Sequence, residues 1–450
     1  MSECEADLPT DLAGLAELTR ALNLHVPPSY FPSMTTRMPY EQAVAPIVDA
    51  PTTGPTHLYV GVPLCEEHCN FCMYFYGFAD DAGSAAQACV NGLTDFLARL
   101  APLVRTPIAG MYIGGGTPSV LEAVQIDRLL ATINTTFAFE ESAQRTFEMS
   151  PKSITEEKLA AVAANGVRRI SFGVQSLDPE PVRRANRGYV GPARVARILD
   201  QAAAVGIHDV NADLMVGLAG EGPDSLADSV ATLVQMSCPT ISIYRHRPAR
   251  KAELAAGGGF ARYVEECAVK VEAAVAVATA LGYVPNGRSD GEHLRLGPPV
   301  PCPWPERNLY ETRYRPYLDN SLIAIGSGGR SFQQDRRFVH CAHRPKAVFD
   351  LVGREVEVED CDLPSRAAAA LVNELFREFR LDFSAADFDA LPAEVAQPLD
   401  TLIARGIVGT DGQSLWVEHA HRDTWMYWDK LLYPPQWLAK RGQVDRLRVR

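Results

Sequence analysis

The chain has 450 residues, with 43 Lys and Arg against 55 Asp and Glu, for a formal charge of -12. At 47% hydrophobic and 22% charged residues its composition is that of a globular protein and excludes a disordered one. The acidic balance argues against a nucleic-acid partner bound through overall charge, and no apolar run reaches the roughly 18 residues of a membrane span, so neither partner is expected.

The acidic start MSECEADLPTDL lacks the basic residues and apolar core of a signal peptide, which points to a cytoplasmic location. Residues 1–55 carry a helical pattern around Leu12 to Leu22, then a Pro-, Ser- and Thr-rich stretch, and read as an N-terminal extension. From residue 56 short apolar runs recur at 57–62, 110–113, 145–149, 168–173, 209–215 and 240–244. Helix-period segments fill the gaps, at 84–100, 120–133, 155–165, 191–205 and 222–236. This alternation predicts βαβ units and a parallel sheet with right-handed crossovers. Six units are too few for an eight-stranded barrel, so an incomplete barrel and an open sheet both fit. In either, ligands bind at the C-terminal ends of the strands. The segment GPPVPCPWP at 297–305 interrupts the pattern. After it come a glycine turn at 325–329, a helical module at 366–405 and a strand in SLWVEH at 414–419.

Of ten cysteines, seven are scattered and read mostly as small buried apolar residues. The other three, Cys65, Cys69 and Cys72, share one loop directly after the first predicted strand. Thiolates at this spacing can wrap three corners of an iron–sulfur cubane and leave one iron open to a further ligand. Zinc is the alternative, with His68 inside the loop as a fourth donor.

The remaining strand ends are polar or glycine-rich: Gly114-Gly115-Gly116-Thr117-Pro118 after the second, Glu148-Met149-Ser150-Pro151 after the third, Ser171 to Ser176 and Asn186-Arg187-Gly188-Tyr189 after the fourth, and Asp213 to Leu218 after the fifth. The Cys-x3-Cys-x2-Cys loop with Phe71 before its last Cys resembles the radical S-adenosylmethionine (SAM) superfamily. With GGGTP and the ordered polar motifs, the chain resembles the oxygen-independent coproporphyrinogen oxidase-like (HemN-like) family, densely over about residues 57–220 and thinly beyond.

The resemblance implies an α/β fold, a partial (β/α)6 radical SAM barrel. An N-terminal extension (1–55), a core with its extension (56–345) and a small, mostly helical C-terminal domain (346–450) would make up the chain. It implies a [4Fe–4S] cluster on Cys65, Cys69 and Cys72, with two SAM molecules. Tyr59, Gly115 and Glu148 resemble residues that hold the first SAM; Phe71, Gly116, Thr117, Gln175, Arg187 and Asp213 resemble those that line the second. Coproporphyrinogen-oxidising members carry a further Cys two residues after the third ligand, where this chain has Tyr74. That departure, with an aromatic run at 73–76, points to the branch that methylates or cyclopropanates an sp² carbon of an aromatic small molecule. A coproporphyrinogen oxidase-like oxidoreductase and a heme chaperone are the alternatives. An electron donor of the flavodoxin or ferredoxin kind is expected as partner, and Tyr76 and His246 are candidates for the base of the last step.

Overall fold

A computed structural model describes residues 32–49, 54–72, 82–246, 259–286, 293–299, 321–326, 329–333, 337–340, 355–375, 380–382, 388–424, 428–434 and 437–438, with 11, 13, 15 and 18 near the N-terminus. The chain begins with β1 (Met34–Pro39) and α1 (Tyr40–Asp49), then β2 (Thr56–Val62), α2 (Ala82–Leu100), β3 (Ile108–Gly115), α3 (Ala123–Thr136) and β4 (Phe139–Met149). It continues through α4 (Glu156–Ala164), β5 (Arg169–Gln175), α5 (Pro179–Arg184), α6 (Pro192–Ala204), β6 (Asp209–Val216), α7 (Ser225–Gln235), β7 (Thr240–Arg245) and α8 (Gly259–Ala280). After β8 (Val284–Pro285) and β9 (His293–Gly297) come β10 (Ser321–Gly326), β11 (Arg330–Gln333), β12 (Arg337–His340) and β13 (Glu355–Asp360).

All six strands expected from the apolar runs form, and they pair in parallel in sequence order from β2 to β7. A seventh parallel strand, β10, lies on the free side of β2 with Ser321 opposite Thr56. The hydrogen-bonded order is linear, so the sheet is open. Antiparallel strands extend both edges, β9 and β8 beyond β7, and β11, β12, β13 and β1 beyond β10. The sheet therefore takes strands from both sides of the boundaries expected at 55 and 345: Met34–Pro39 pairs with Glu355–Asp360 along its whole length.

Side chains alternate across a strand, and here the alternation separates two chemistries. One face carries Ile113, Phe147, Ile170, Phe172, Val210, Ala212, Ile241 and Ile243, all buried in the core beneath the helices. The other carries Tyr112, Thr146, Glu148, Arg169, Ser171, Asn211, Asp213 and Ser242, a polar face most of which lines one small cavity. Helix starts are fixed locally: the Thr155 side chain accepts from the Lys158 N–H, and Asp178 accepts from the Glu180 N–H while also taking the Ser225 hydroxyl at 2.6 Å.

The C-terminal part has its own core. Helices α9 (Leu363–Ala370) and α10 (Ala393–Ala404) pack over a three-stranded sheet of β14 (Arg380–Asp382), β15 (Val408–Thr410) and β16 (Ser414–Val417). Leu15, from the N-terminal helical pattern, is buried in this second core. Strand β16 sits within the predicted SLWVEH segment.

Candidate active site

The C-terminal ends of β2 and β3 lie side by side, Val62 opposite Gly115, so the cysteine loop and the glycine turn leave the sheet together. Two backbone bonds clamp them, Gly116 N–H to Val62 O at 2.8 Å and Thr117 N–H to Leu64 O at 2.6 Å. Gly115 has φ +105°, and a side-chain carbon on Gly116 would collide with the Leu64 carbonyl, so both glycines are required by the turn. The cysteine loop folds back over this turn, with Cys72 N–H on Cys69 O at 3.1 Å.

The result is a cavity of about 160 Å³ at the rim, lined by Cys65, Cys69, Cys72, Phe71, Arg187 and the Gly115-Gly116-Thr117 turn. The cysteines, Phe71, the glycine turn and Arg187, all singled out in the sequence, are thus brought to one place, and His68 lines the same cavity. Cys69 is buried and the other two thiols are half-buried. Burial pushes the Cys65 thiol up to about 12, with the neighbouring thiols adding to the rise and Thr117 and Arg187 opposing it. A thiol raised in this way needs a cationic partner to become a thiolate.

The loop is latched from one side. Glu67 accepts the Gly188 N–H at 3.0 Å and pairs with the Lys152 ammonium. Burial works to raise the Glu67 carboxyl, but the Gly188 and Lys152 hydrogen bonds outweigh it and hold the group below its usual range. Asn186, in the left-handed region at φ +54°, donates to His68 O at 2.7 Å, and Asn70 N–H bonds Ala185 O at 2.9 Å. Arg187 closes the set, with Nη1 on Cys69 Sγ at 3.4 Å and Nη2 on Gly173 O at 2.8 Å.

Other expected site residues lie next to this cavity rather than on its lining. Tyr59 is buried and stacks on Tyr112, ring centroids 6.3 Å apart. The Tyr112 hydroxyl donates to Glu148, and burial together with the Glu148 charge keeps that phenol protonated, well above its usual range. Asp213 accepts from Asn211 Nδ2 at 2.7 Å and Ser171 Oγ at 3.2 Å; burial, then the Glu148 charge, push its carboxyl up to about 7. Gln175 (φ +67°) ends β5 beside Arg187: a side-chain carbon on Gly173 would meet both residues. His246 points elsewhere. Its Nδ1 lies 3.3 Å from Gly217 O, and its carbonyl takes the Tyr263 hydroxyl at 2.7 Å. Tyr74, Tyr76 and Trp304 fall outside the described residues.

Among the described residues no group of three Cys, His, Asp or Glu side chains is set for a single metal ion, while the three thiols and His68 all line the cavity. A ring of three thiols around open volume suits a cluster with one iron left for another ligand. Glu67, Lys152 and Tyr112 are the site residues that motif reading passes over, whereas Asn186 stands in a motif already singled out. Only Tyr112 left a trace, as the polar alternate of an apolar strand.

An open parallel sheet with a three-thiol loop at the end of its first parallel strand and a glycine turn at the next defines a SAM-type iron–sulfur scaffold. Comparisons with known proteins agree. The radical SAM superfamily pattern matches residues 59–233. The heme chaperone HemW of Mycobacterium tuberculosis is 32% identical over 219 residues, covering 46% of this chain and 56% of that one. The oxygen-independent coproporphyrinogen III oxidase of Escherichia coli is 29% identical over 211 residues, 46% of each chain. The chain spans about half the length of these curated relatives. In fold the likeness is longer: the solved Escherichia coli coproporphyrinogen III oxidase (HemN) superposes with a TM-score of 0.69 at 21% identity, over 91% of this chain and 98% of that one. Residues 59–233 form a radical SAM domain, and the chain is similar to the HemN-like proteins. The cofactors of that family are a [4Fe–4S] cluster and SAM, with two SAM molecules in HemN-like enzymes.

The comparisons shift the functional expectation. The relatives are named as oxidases and heme chaperones, so carbon methylation or cyclopropanation is not the reading they favour.

Proposed function

We propose that the chain is a radical SAM oxidoreductase of the coproporphyrinogen oxidase-like kind, acting on a small organic substrate of the tetrapyrrole-precursor class. The observation that carries this reading is the rim cavity, where three thiols, a glycine turn and Arg187 meet. The substrate class rests on the names of the relatives.

In this reading Cys65, Cys69 and Cys72 hold the cluster. Gly115, Tyr59 and Glu148 serve the first SAM, the Tyr112 hydroxyl fixing the Glu148 carboxylate in place. Phe71, Gly116, Thr117, Gln175, Arg187 and Asp213 serve the second. Bound there, the cluster and SAM supply the means to remove a hydrogen atom from an unactivated carbon, given one electron from a flavodoxin- or ferredoxin-like donor. The protein's own part is to hold the loop rigid through Glu67 and Asn186 and to narrow water access with Phe71. His246 is engaged with Gly217 and receives no catalytic role.

A second reading, transfer of a methyl or methylene group to an sp² carbon, is favoured by Tyr74, which stands where coproporphyrinogen-oxidising members carry a further Cys. One assay separates them. Anaerobic protein is given SAM, a reductant and coproporphyrinogen III. The first reading expects 5′-deoxyadenosine with carbon dioxide. S-adenosylhomocysteine with a methylated product, from this or another accepted substrate, would replace it with the second. Tight heme binding with no 5′-deoxyadenosine would point to a chaperone.

A further inference from the structure

Of the three thiols in the loop, Cys69 is the most enclosed, and a cation donates to it. Arg187 reaches it across 118 residues of sequence, Nη1 to Sγ at 3.4 Å. The guanidinium is not free to swing. Its Nη2 is on the Gly173 carbonyl at 2.8 Å, and the flanking turn is tied to the loop through Asn186 on His68 O and Gly188 on Glu67. No room is left on the sheet side either, since a side-chain carbon on Gly173 would come within 3.0 Å of Nη2. Cys65 differs. Its hydrogen-bond partner is the Thr117 hydroxyl, an uncharged donor, and the Arg187 charge acts on it only through space.

We propose that Arg187 sets the reduction potential of the cluster held by the Cys65–Cys72 loop, through a charged hydrogen bond to the Cys69 thiolate. This rests on the reading that these cysteines hold a [4Fe–4S] cluster. The step concerned is the entry of one electron from a low-potential one-electron donor, which takes the cluster from its 2+ to its 1+ state. No bond forms or breaks and no proton moves, so the thiolate-ligated cluster becomes more negative by one charge. A fixed positive charge and an N–H donor at a ligand sulfur stabilise the more negative state. The low-dielectric surroundings of a buried thiolate strengthen that effect. Arg187 thus acts as a positioning and tuning residue for the cluster, in addition to any ligand its remaining N–H groups meet.

The test is an EPR-monitored redox titration of full-length protein, reconstituted anaerobically and without SAM, for wild type, Arg187→Gln and Arg187→Lys. At the wild-type midpoint, Arg187→Gln is expected to lower the ratio of reduced to oxidised cluster about tenfold, equivalent to ~59 mV for a one-electron couple. Arg187→Lys, which keeps the charge, should recover part of the shift. Four irons per chain in Arg187→Gln with an unchanged midpoint overturns the proposal. Iron and sulfide analysis keeps two failures apart: wild type without a cluster defeats the underlying reading, whereas a cluster indifferent to Arg187 defeats this inference alone. Should the variants not hold a cluster, wild type labelled with ¹⁵N in the arginine guanidinium decides the matter. Pulsed EPR of its reduced cluster should show a ¹⁵N coupling, and its absence overturns the proposal.

Discussion

The polar face of the sheet has a rim and a floor, and they use polar groups in opposite ways. On the floor most of the groups satisfy one another, though Asp209 Oδ2 accepts no hydrogen bond among the described residues. Arg169 faces Asp209 at 3.5 Å, Asn211 donates to Ser171 Oγ at 2.9 Å, and Ser242 donates to Asn211 Oδ1 at 2.8 Å. The space left among them is about 40 Å³, room for roughly two or three waters. At the rim the cavity is about four times larger, and its thiols face open volume. The lesson is that polarity alone does not mark the site in this fold. What marks it is polarity left facing space, on a loop braced by bonds from a neighbouring turn.

The largest effect expected from this contrast is on cluster binding. Changing Cys65, Cys69 and Cys72 together to Ala should remove all iron from anaerobically reconstituted protein, while Cys238→Ala, in the buried core, should leave the iron content at the wild-type level. Iron and sulfide analysis reads both.

Next comes the brace. Glu67→Gln removes the charge from two hydrogen bonds, to Lys152 and to the Gly188 N–H. Hydrogen bonds to charged groups contribute about 1.5–3 kcal/mol, so cluster loss to a chelator should quicken roughly tenfold or more. Bleaching of the visible absorbance in the presence of the chelator follows it. An unchanged rate would mean the loop keeps its shape without Glu67.

Asp213 is bonded to the floor residues Ser171 and Asn211, and its effect should appear in pH dependence. Its carboxyl is raised to about 7 in the fold by burial and then Glu148, against about 3.9 in the unfolded chain. The folded state therefore holds the proton more tightly. That contribution to stability is complete below the unfolded value and is lost as pH rises through about 7. Urea midpoints should fall across that window, and Asp213→Asn should flatten the fall. A slope untouched by the substitution would assign it to other groups.

The smallest effect belongs to the floor. Ser242→Ala removes the donor to Asn211 Oδ1 and should cost about 1–2 kcal/mol of stability with no change in iron content. Iron loss would mean that floor and rim are not separable.

The parallel strands were legible because alternation is local: Arg169-Ile-Ser171-Phe-Gly173 places its polar and apolar faces within five residues. The cluster loop was legible for the same reason, three thiols within eight positions. What escaped was non-local. Lys152 and Gly188 reach Glu67 from 85 and 121 residues away, and nothing in a Lys or a Gly announces such a partner. Strand β10 hides behind its own glycine turn, and its place beside β2 is set by pairing across more than 260 residues. The antiparallel pair Met34–Pro39 and Glu355–Asp360 joins two segments that read as belonging to separate parts of the chain.

The central claim is that the rim holds a four-iron cluster with one iron open to SAM. The direct measurement is EPR of the dithionite-reduced, reconstituted protein before and after SAM is added, alongside iron and sulfide analysis. The account predicts about four irons per chain, with a reduced-cluster signal whose g-values move on SAM addition. A four-iron cluster whose signal SAM leaves unchanged, or protein that takes up zinc and no cluster, would contradict it.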